Sequence, residues 1–163
     1  MKTIILYYSS HHGNTKKIVQ AAEAAIDTDI LDITSPMAEK ADLSEYDRIG
    51  IASGIYAGSF HPDLIEYIKK HMPRGKEVFL MYTCTADMPH YLNRILRVLE
   101  GADAKVIGRF RCRGLNTFGP FGVLGGAAKG HPDVHDLMSA ADFVRNLKSD
   151  GSILTSQKKQ KKK

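Results

Sequence analysis

Residues 3–15 read TIILYYSSHHGNT, an apolar run followed at once by a hydroxyl-rich turn. The β-branched and aromatic residues of the run are typical of a buried strand. Beyond the turn, which contains Gly13, residues 14–26 carry apolar side chains at the spacing of one helix face. A strand, a tight turn and a helix make the first part of a βαβ unit, which predicts a parallel sheet.

The same alternation of strand and helix continues to residue 148. Apolar, β-rich runs predict five strands, at residues 3–8, 29–33, 48–53, 77–82 and 105–111. Helical spacing predicts helices at residues 14–26, 62–71, 89–100 and 132–148, with a short turn or helix at 41–45. Three of these helices are predicted to begin at a proline, because proline lacks the N–H that a first helical turn leaves unpaired. We therefore expect one α/β domain with helices on both faces of a five-stranded parallel sheet.

The composition predicts one globular domain followed by a basic tail. The 163 residues are 43% hydrophobic and 25% charged, with a formal net charge of +5. Lysines near the C-terminus supply all of this charge: Lys158, Lys159, Lys161, Lys162 and Lys163. We expect a domain over residues 1–149 and a disordered tail over 150–163, which has almost nothing to bury. The balanced body predicts no specific nucleic-acid partner, and the tail predicts at most weak peripheral contact with an acidic membrane surface, nucleic acid or redox partner.

Two further features bear on where the protein works. Its two cysteines, Cys84 and Cys112, have no paired spacing, so neither a disulfide framework nor a zinc or iron–sulfur site is predicted. The opening apolar run of residues 1–8 is too short for a signal peptide or a spanning segment. We expect a cytoplasmic protein with no transmembrane segment.

The loops after strands 1, 3 and 4 are the candidate site, because open parallel sheets bind ligands beyond the carboxyl ends of their strands. The turn after strand 1 consists of Ser9, Ser10, His11, His12, Gly13, Asn14 and Thr15. Its hydroxyls and the unpaired N–H groups at the start of the next helix suit a phosphate. The alternative is a cap and turn that binds nothing, since Ser, Thr and Asn are common there. Nucleoside triphosphates and dinucleotides are disfavoured, because the turn matches neither GxxxxGK[ST] nor GxGxxG.

The two other loops suit a flat ring system. They consist of Ser53, Gly54, Ile55, Tyr56, Ala57 and Gly58 after strand 3, and of Thr83, Cys84, Thr85, Ala86 and Asp87 after strand 4. In the first of these loops Tyr56 is placed to stack on a ring, or alternatively to pack a helix against the sheet together with Phe60. The hydroxyls and amides of the second suit the polar edge of a pyrimidine-like ring. A lone Cys84 near a strand end is more often a small core residue than a nucleophile.

The glycine-rich connection of residues 112–131 is long, which is typical of a lid or a binding loop. Within it, Phe118 and Phe121 are placed to cover a cofactor or to pack under the loop, and Lys129 is placed to face an anion. The histidines of the chain show no HExxH-like pattern, so no metal site is predicted.

These motifs resemble the flavodoxin-like family over residues 1–148. The resemblance is carried by YSSHHGNTKK after strand 1, SGIYAGSFHPDLIEYIKK after strand 3 and NTFGPFGVLGGAAKGHPDVHDL near the end. It implies a three-layer, doubly wound, five-stranded parallel sheet in the order 2-1-3-4-5 and one noncovalently bound flavin mononucleotide (FMN). It also implies phosphate-binding hydroxyls at Ser10 and Thr15, with Gly13 and Asn14 matching the family's turn, and flavin-flanking loops at 53–58 and 83–87. At His12 an imidazole replaces a hydroxyl of the family pattern.

The function that the resemblance implies is electron transfer, in which the flavin performs the redox chemistry and the chain supplies no catalytic residue. The partner is then a redox protein or a small electron acceptor, and the sequence indicates no particular oligomeric state. The neutral body departs from the acidic surface typical of flavodoxin carriers.

Two alternatives to electron carriage stay open. One is an FMN-dependent oxidoreductase acting on a quinone or porphyrinogen, because GSFHPDLIEYIKKH is similar to part of flavodoxin-like protoporphyrinogen oxidases. The other is a flavin-free interaction domain. A phosphoacceptor receiver is disfavoured, because strand 1 runs into Tyr7, Tyr8, Ser9 and Ser10 rather than into acidic residues.

Overall fold

The computed structural model describes residues 1–10, 12–115 and 126–148. The candidate site residue His11, the candidate lid residues Phe118 and Phe121, and the predicted tail at 150–163 lie outside the described residues. Within those ranges, none of the helices has the length and apolar character needed to cross a membrane.

The described strands form one parallel sheet. They are β1 (Thr3–Tyr7), β2 (Asp29–Asp32), β3 (Arg48–Gly54), β4 (Glu77–Cys84) and β5 (Lys105–Arg113). Their order across the sheet is β2-β1-β3-β4-β5, which confirms the doubly wound fold and the order 2-1-3-4-5. The direction of winding reverses beside β1 and β3, and ligands of such sheets bind beyond the carboxyl ends of the strands at that point.

Helices cover both faces of the sheet. They are α1 (Asn14–Glu23), α2 (Pro62–His71), α3 (Asn93–Gly101) and α4 (Val134–Arg145). One apolar core lies between the sheet and α2 and α3, and a second lies between the sheet and α1 and α4. Successive strand residues point to opposite faces, so Leu6 is buried in the first core and Ile5 in the second. Each such fully buried Leu or Ile contributes about 1.5–3 kcal/mol.

Helix boundaries are where the sequence-based prediction was wrong. The first helix ends at Glu23 rather than at residue 26, because the chain turns there, with the N–H groups of Ala25 and Ile26 both bonded to the carbonyl of Ala22. The third begins as a 3₁₀ turn at Pro89–Leu92, and its α-helical part starts only at Asn93. The helix at Pro62–His71 was predicted with both ends correct.

The fourth helix, predicted at residues 132–148, ends at Arg145, and capping explains its later start. The fourth helix begins at Val134 and not at Pro132, because Asp133 accepts from the N–H of Asp136 while the carboxylate of Asp136 accepts from the N–H of Asp133. Such a reciprocal capping box fixes a helix start. The predicted turn at 41–45 is two short 3₁₀ turns, Ala38–Lys40 and Leu43–Glu45.

The strands were predicted to within two residues. Strands β1 and β2 end one residue earlier than predicted, β3 ends one residue later, and β4 and β5 extend two residues further. As a result Gly54, Thr83 and Cys84 belong to strands rather than to the loops after them.

Candidate functional site

The turn after β1 leaves hydrogen-bond donors at the start of α1. Gly13 is the N-cap, with a φ of 64° that favours glycine, and it has no side chain with which to cap the helix. Ser9 Oγ accepts from the N–H of Lys16 at 3.2 Å. No described group accepts from the N–H of Asn14 or Thr15. Two backbone donors therefore remain, at the positive end of the helix dipole, next to the turn's hydroxyls.

Asn14 joins this turn to the segment that follows the edge strand β5. Its Nδ2 donates to the carbonyl of Leu115 at 2.8 Å, across 101 residues of sequence. Its Oδ1 is buried and has no donor among the described residues. Gly114 fits closely here, because a Cβ at this position would lie 2.9 Å from Asn14 Nδ2 and 3.0 Å from Thr83 Cβ. Within the part of the chain that the structure describes, the turn thus combines two donors that have no acceptor with one buried acceptor that has no donor.

The loop after β3 is a tight turn fastened to the first one. Tyr56 and Ser59 exchange backbone hydrogen bonds of 2.7 and 3.1 Å around Ala57 and Gly58, whose φ angles are 48° and 79°. Two consecutive positive φ angles define a type I′ turn, which strains a non-glycine residue such as Ala57 by about 1–2 kcal/mol. The hydroxyl of Tyr56 lies 2.9 Å from Ser10 Oγ, so a side-chain hydrogen bond joins the two loops.

Aromatic rings cluster where the two loops meet. The ring of Tyr8 stacks on that of His61, with centroids 3.6 Å apart and planes 9° apart, and Tyr56 presents an edge to both. His61 caps α2, because its Nδ1 accepts from the N–H of Asp63 at 3.2 Å. Burial lowers the pKa of His61, which favours the neutral imidazole that this cap requires.

The cluster includes two residues that the sequence-based prediction left out of the site. Tyr8 lies next to Ser9, and His61 lies directly before the proline that begins α2. Adjacency to the predicted loops was the available signal for both residues.

The end of β4 joins the same junction. The N–H of Ile55 donates to the carbonyl of Thr83 at 3.2 Å, which links the second loop to the third. Thr83 and Cys84 are buried, Thr85 is half-buried, and Ala86 is exposed. Where the third loop leaves β4, it therefore offers backbone groups and the partly exposed hydroxyl of Thr85 to a ligand.

Asp87 is an anchored carboxylate at the outer end of this loop. It accepts from Arg111 Nε at 2.9 Å and from the hydroxyl of Tyr82 at 3.3 Å. Burial, with the Asp87 charge beside it, raises the pKa of Tyr82 to about 12. Tyr82 therefore stays a neutral donor, and the loop is attached to the edge strand β5.

The two cysteines are core residues. Cys84 packs in the core under α2 and α3, and Cys112 packs in the core under α1 and α4. Burial raises the pKa of both thiols, so both are held in the uncharged form. The structure places no reactive thiolate among the candidate residues that it describes.

One cluster of possible metal ligands among the described residues lies at the start of α4. Ligand atoms of His131, Asp133 and Asp136 all lie within 4.8 Å of one another. His131 Nδ1 lies 2.6 Å from Asp136 Oδ2, and the two aspartates form the capping box of α4. Helix capping accounts for this arrangement.

The structure thus brings the three predicted loops together, with the exception of His11, whose position it does not describe. Hydrogen bonds join the first loop to the second and the second to the third. His12, Ala57, Ala86 and Asp87 lie at the exposed rim.

Comparison by sequence finds relatives of this chain. A family model described as a flavodoxin domain matches residues 5–93, a range that contains all three loops. An uncharacterized protein of Methanocaldococcus jannaschii is 33% identical over 154 residues, which cover 90% of this chain and 98% of that protein.

Solved structures share the fold. The oxidised flavodoxin 1 from Bacillus cereus superposes with a TM-score of 0.61 at 17% identity, covering 90% of this chain and 100% of that one. A flavoprotein from Lactobacillus acidophilus, solved in complex with FMN, gives a TM-score of 0.51 at 24% identity and covers 68% of this chain and 92% of that one.

Proposed function

The chain belongs to the flavodoxin domain family, and from that premise we propose that it binds one FMN noncovalently and transfers electrons with it. The observation that carries the proposal is the junction of three loops at the carboxyl ends of β1, β3 and β4. The bonds from Tyr56 to Ser10 and from Ile55 to Thr83 hold it together. This junction lies where the winding of the sheet reverses, the position at which doubly wound folds bind ligands.

The turn after β1 is assigned to the phosphate and the sugar-like chain of FMN. Its residues are Ser9, Ser10, His11, His12, Gly13, Asn14 and Thr15. The N–H groups of Asn14 and Thr15 need an acceptor, which a phosphate oxygen supplies. The buried Oδ1 of Asn14 needs a donor, which a ribityl hydroxyl supplies. One ligand that carries both groups satisfies donors and acceptor together.

The loops at 53–58 and 83–87 are assigned to the flavin ring. When bound, FMN supplies reversible transfer of one or two electrons. The chain's own part is to bind the ring and to exclude water from it. Tyr56, Tyr8 and His61 offer aromatic surface at the junction of the loops. The charge of Asp87 is already offset by Arg111, so the third loop adds little net negative charge beside an electron-rich ring.

The same proposal includes the domain that carries the function, the compartment in which it works and the partners of electron transfer. The domain of residues 1–149 carries the function in the cytoplasm, and the tail at 150–163 lies outside it. Electrons pass to or from a redox protein or a small acceptor. The free thiols of Cys84 and Cys112 suit a reducing compartment.

A double substitution tests the assignment. Ser10→Ala with Thr15→Val removes both hydroxyls, and valine keeps the volume of the buried Thr15. Hydrogen bonds to charged groups contribute about 1.5–3 kcal/mol each, so the Kd for FMN should rise at least about tenfold. The measurement is fluorescence quenching of FMN titrated with the apoprotein.

The matched control removes hydroxyls at the amino ends of strands, away from the loops. Ser44→Ala with Thr28→Ala should leave the Kd for FMN unchanged. An unchanged Kd in the Ser10 and Thr15 variant would overturn the assignment of the turn. A colourless wild-type protein that takes up no added FMN would overturn the function itself, and steady turnover of a quinone or porphyrinogen would replace electron carriage by substrate oxidation.

A further inference from the structure

The edge strand β5 presents a row of arginines. Arg109, Arg111 and Arg113 are exposed, while the alternating residues Phe110 and Cys112 are buried in the core under α1 and α4. Side chains two residues apart on a strand share a face and repeat about every 6.6 Å. The three guanidinium groups therefore project from one face of the strand.

Helix α3, which packs on that side of the sheet, carries two more exposed arginines. In the register of β4 and β5, Arg109 pairs with Leu80 and Arg111 pairs with Tyr82. Both β4 residues belong to the core that α2 and α3 cover, so the row lies on the α3 side of the sheet. The exposed Arg94 and Arg97 are one turn apart on α3. We call the following five residues the arginine surface: Arg94, Arg97, Arg109, Arg111 and Arg113.

This surface concentrates positive charge on a body, residues 1–157, whose charges balance. Residues 89–113 contain six Lys or Arg and two acidic residues, whereas charges over residues 1–157 cancel. Among the described residues, Arg111 is the member of the arginine surface that has an ion pair, with Asp87. Within the described ranges none of the other four forms an ion pair, so the excess positive charge attracts an external anion.

The arginine surface reaches the candidate site. Arg111 contacts Asp87 of the third loop, and Arg113 pairs in register with Cys84. Next to Asp87, Met88 is 45% exposed and adds an apolar contact. Exposed Arg and Met are enriched at protein interfaces, and a partner seated here would lie beside the loops assigned to the flavin ring.

We propose that the arginine surface docks an acidic surface of the protein that exchanges electrons with this chain, an inference that rests on the proposed function. Arginine forks bind carboxylates in pairs, which gives a docked partner both affinity and orientation. The surface suits nucleic acid less, because proteins that bind single strands stack bases on exposed aromatic rings. Within residues 89–113 the aromatic rings of Tyr91 and Phe110 are partly or fully buried.

The first test measures binding of poly-L-glutamate, a probe for an acidic protein surface. It uses the full chain with the five tail lysines changed to Gln, so that the tail contributes nothing. Arg109→Gln with Arg113→Gln should weaken binding at least about fivefold at 10 mM ionic strength. The control, Lys69→Gln with Lys70→Gln, removes the same charge from the exposed face of α2 and should change binding less than about twofold.

The second test measures electron transfer from the FMN-loaded, dithionite-reduced protein by stopped flow. Two ferricyanide ions accept the two electrons of one fully reduced flavin, and hexaammineruthenium(III) serves as the oppositely charged oxidant. A trivalent anion about 15 Å from two lost positive charges reacts about fivefold more slowly at 10 mM ionic strength. The arginine variant should therefore slow oxidation by ferricyanide and speed oxidation by the ruthenium complex.

A second variant, Arg94→Gln with Arg97→Gln on α3, tests the same surface without changing β5, in case the strand variant misfolds. Circular dichroism checks that both variants are folded. Equal losses in the lysine control would overturn the proposal. So would tighter binding of a 20-base-pair DNA duplex or of anionic phosphatidylglycerol vesicles through the same arginines. Failure of FMN uptake overturns the proposed function and with it the exchange of electrons, whereas the poly-L-glutamate test needs no flavin and still decides whether the arginine surface binds an acidic chain. Normal FMN uptake with unchanged binding and rates in the arginine variants overturns docking alone.

Discussion

Gly114→Ala is a direct test of how tightly the last strand closes against the candidate site. A Cβ at residue 114 would lie 2.9 Å from Asn14 Nδ2, 3.0 Å from Thr83 Cβ and 3.2 Å from Thr83 Oγ1. These contacts are too short, so the Asn14 amide must move away from the carbonyl of Leu115 and Thr83 must shift. The substitution thus perturbs the first and third loops together.

The expected cost follows from these contacts. Loss of the hydrogen bond from Asn14 to Leu115 costs about 1 kcal/mol, and overpacking against Thr83 costs about 1–3 kcal/mol. We expect the cost to divide between the free energy of unfolding and the affinity for FMN. A share of about 1.4 kcal/mol in binding raises the Kd about tenfold.

The measurements are fluorescence titration with FMN and urea unfolding of the apoprotein. Gly101→Ala is the matched control, because a Cβ there meets no heavy atom within 4 Å. That control should keep the wild-type Kd and gain at most about 1 kcal/mol of stability, because alanine is the better helix former at the end of α3. If Gly114→Ala keeps the wild-type Kd and stability within error, the close packing of residue 114 against the two loops is refuted.

Three further outcomes are expected. Arg48→Met removes the buried partner of an ion pair at the end of the sheet away from the site, in which Arg48 Nη2 lies 2.9 Å from the partly exposed Glu77 Oε2. Urea unfolding should show a loss of about 2–3 kcal/mol, less than for a fully buried pair, while the Kd for FMN is unchanged. Because burial lowers the pKa of His61 in the folded chain, its contribution to stability is complete above the unfolded pKa of about 6.5 and is lost as the pH falls through the lowered folded pKa. His61→Asn, which keeps a capping side chain, should flatten the plot of unfolding free energy against pH below about 6.5. An unchanged slope would contradict this origin of the pH dependence. A thiol reagent at pH 8 should label Cys84 and Cys112 only after unfolding in guanidinium chloride, and rapid labelling of either in the folded chain would contradict their burial.

The sheet was predictable because its central strands are covered on both faces. Such strands consist of continuous apolar runs, which stand out in a sequence, and the spacing between them leaves room for crossover helices. The helix from Pro62 to His71 was equally clear, because the proline marks its first turn. Thr83 shows the limit, since its hydroxyl suggested a loop while its backbone pairs in β4 and its side chain is buried.

Contacts between distant residues explain most of what the sequence did not reveal about the site. The motifs predicted which loops converge, but not the bond from Tyr56 to Ser10 or the stacking of Tyr8 on His61. Those contacts depend on how many residues each strand extends beyond the end of the neighbouring strand, at the carboxyl edge of the sheet. The start of α4 was missed for a local reason, because Asp133 and Asp136 cap each other after a proline that suggested an earlier start.

The hydrogen bond from Asn14 to Leu115 cannot form until both residues have been synthesised, so it forms late in the synthesis of each new chain. Its donor leaves the ribosome 101 residues before its acceptor. At a translation rate of about 5–20 residues per second, the first turn waits about 5–20 s for the residue that fixes it. A nascent chain that ends at residue 93 already contains every strand and loop of the matched family region, yet it lacks β5 and the acceptor beyond it. Capture of a cofactor that depends on this bond is therefore a late step of biogenesis, after the edge strand has joined the sheet.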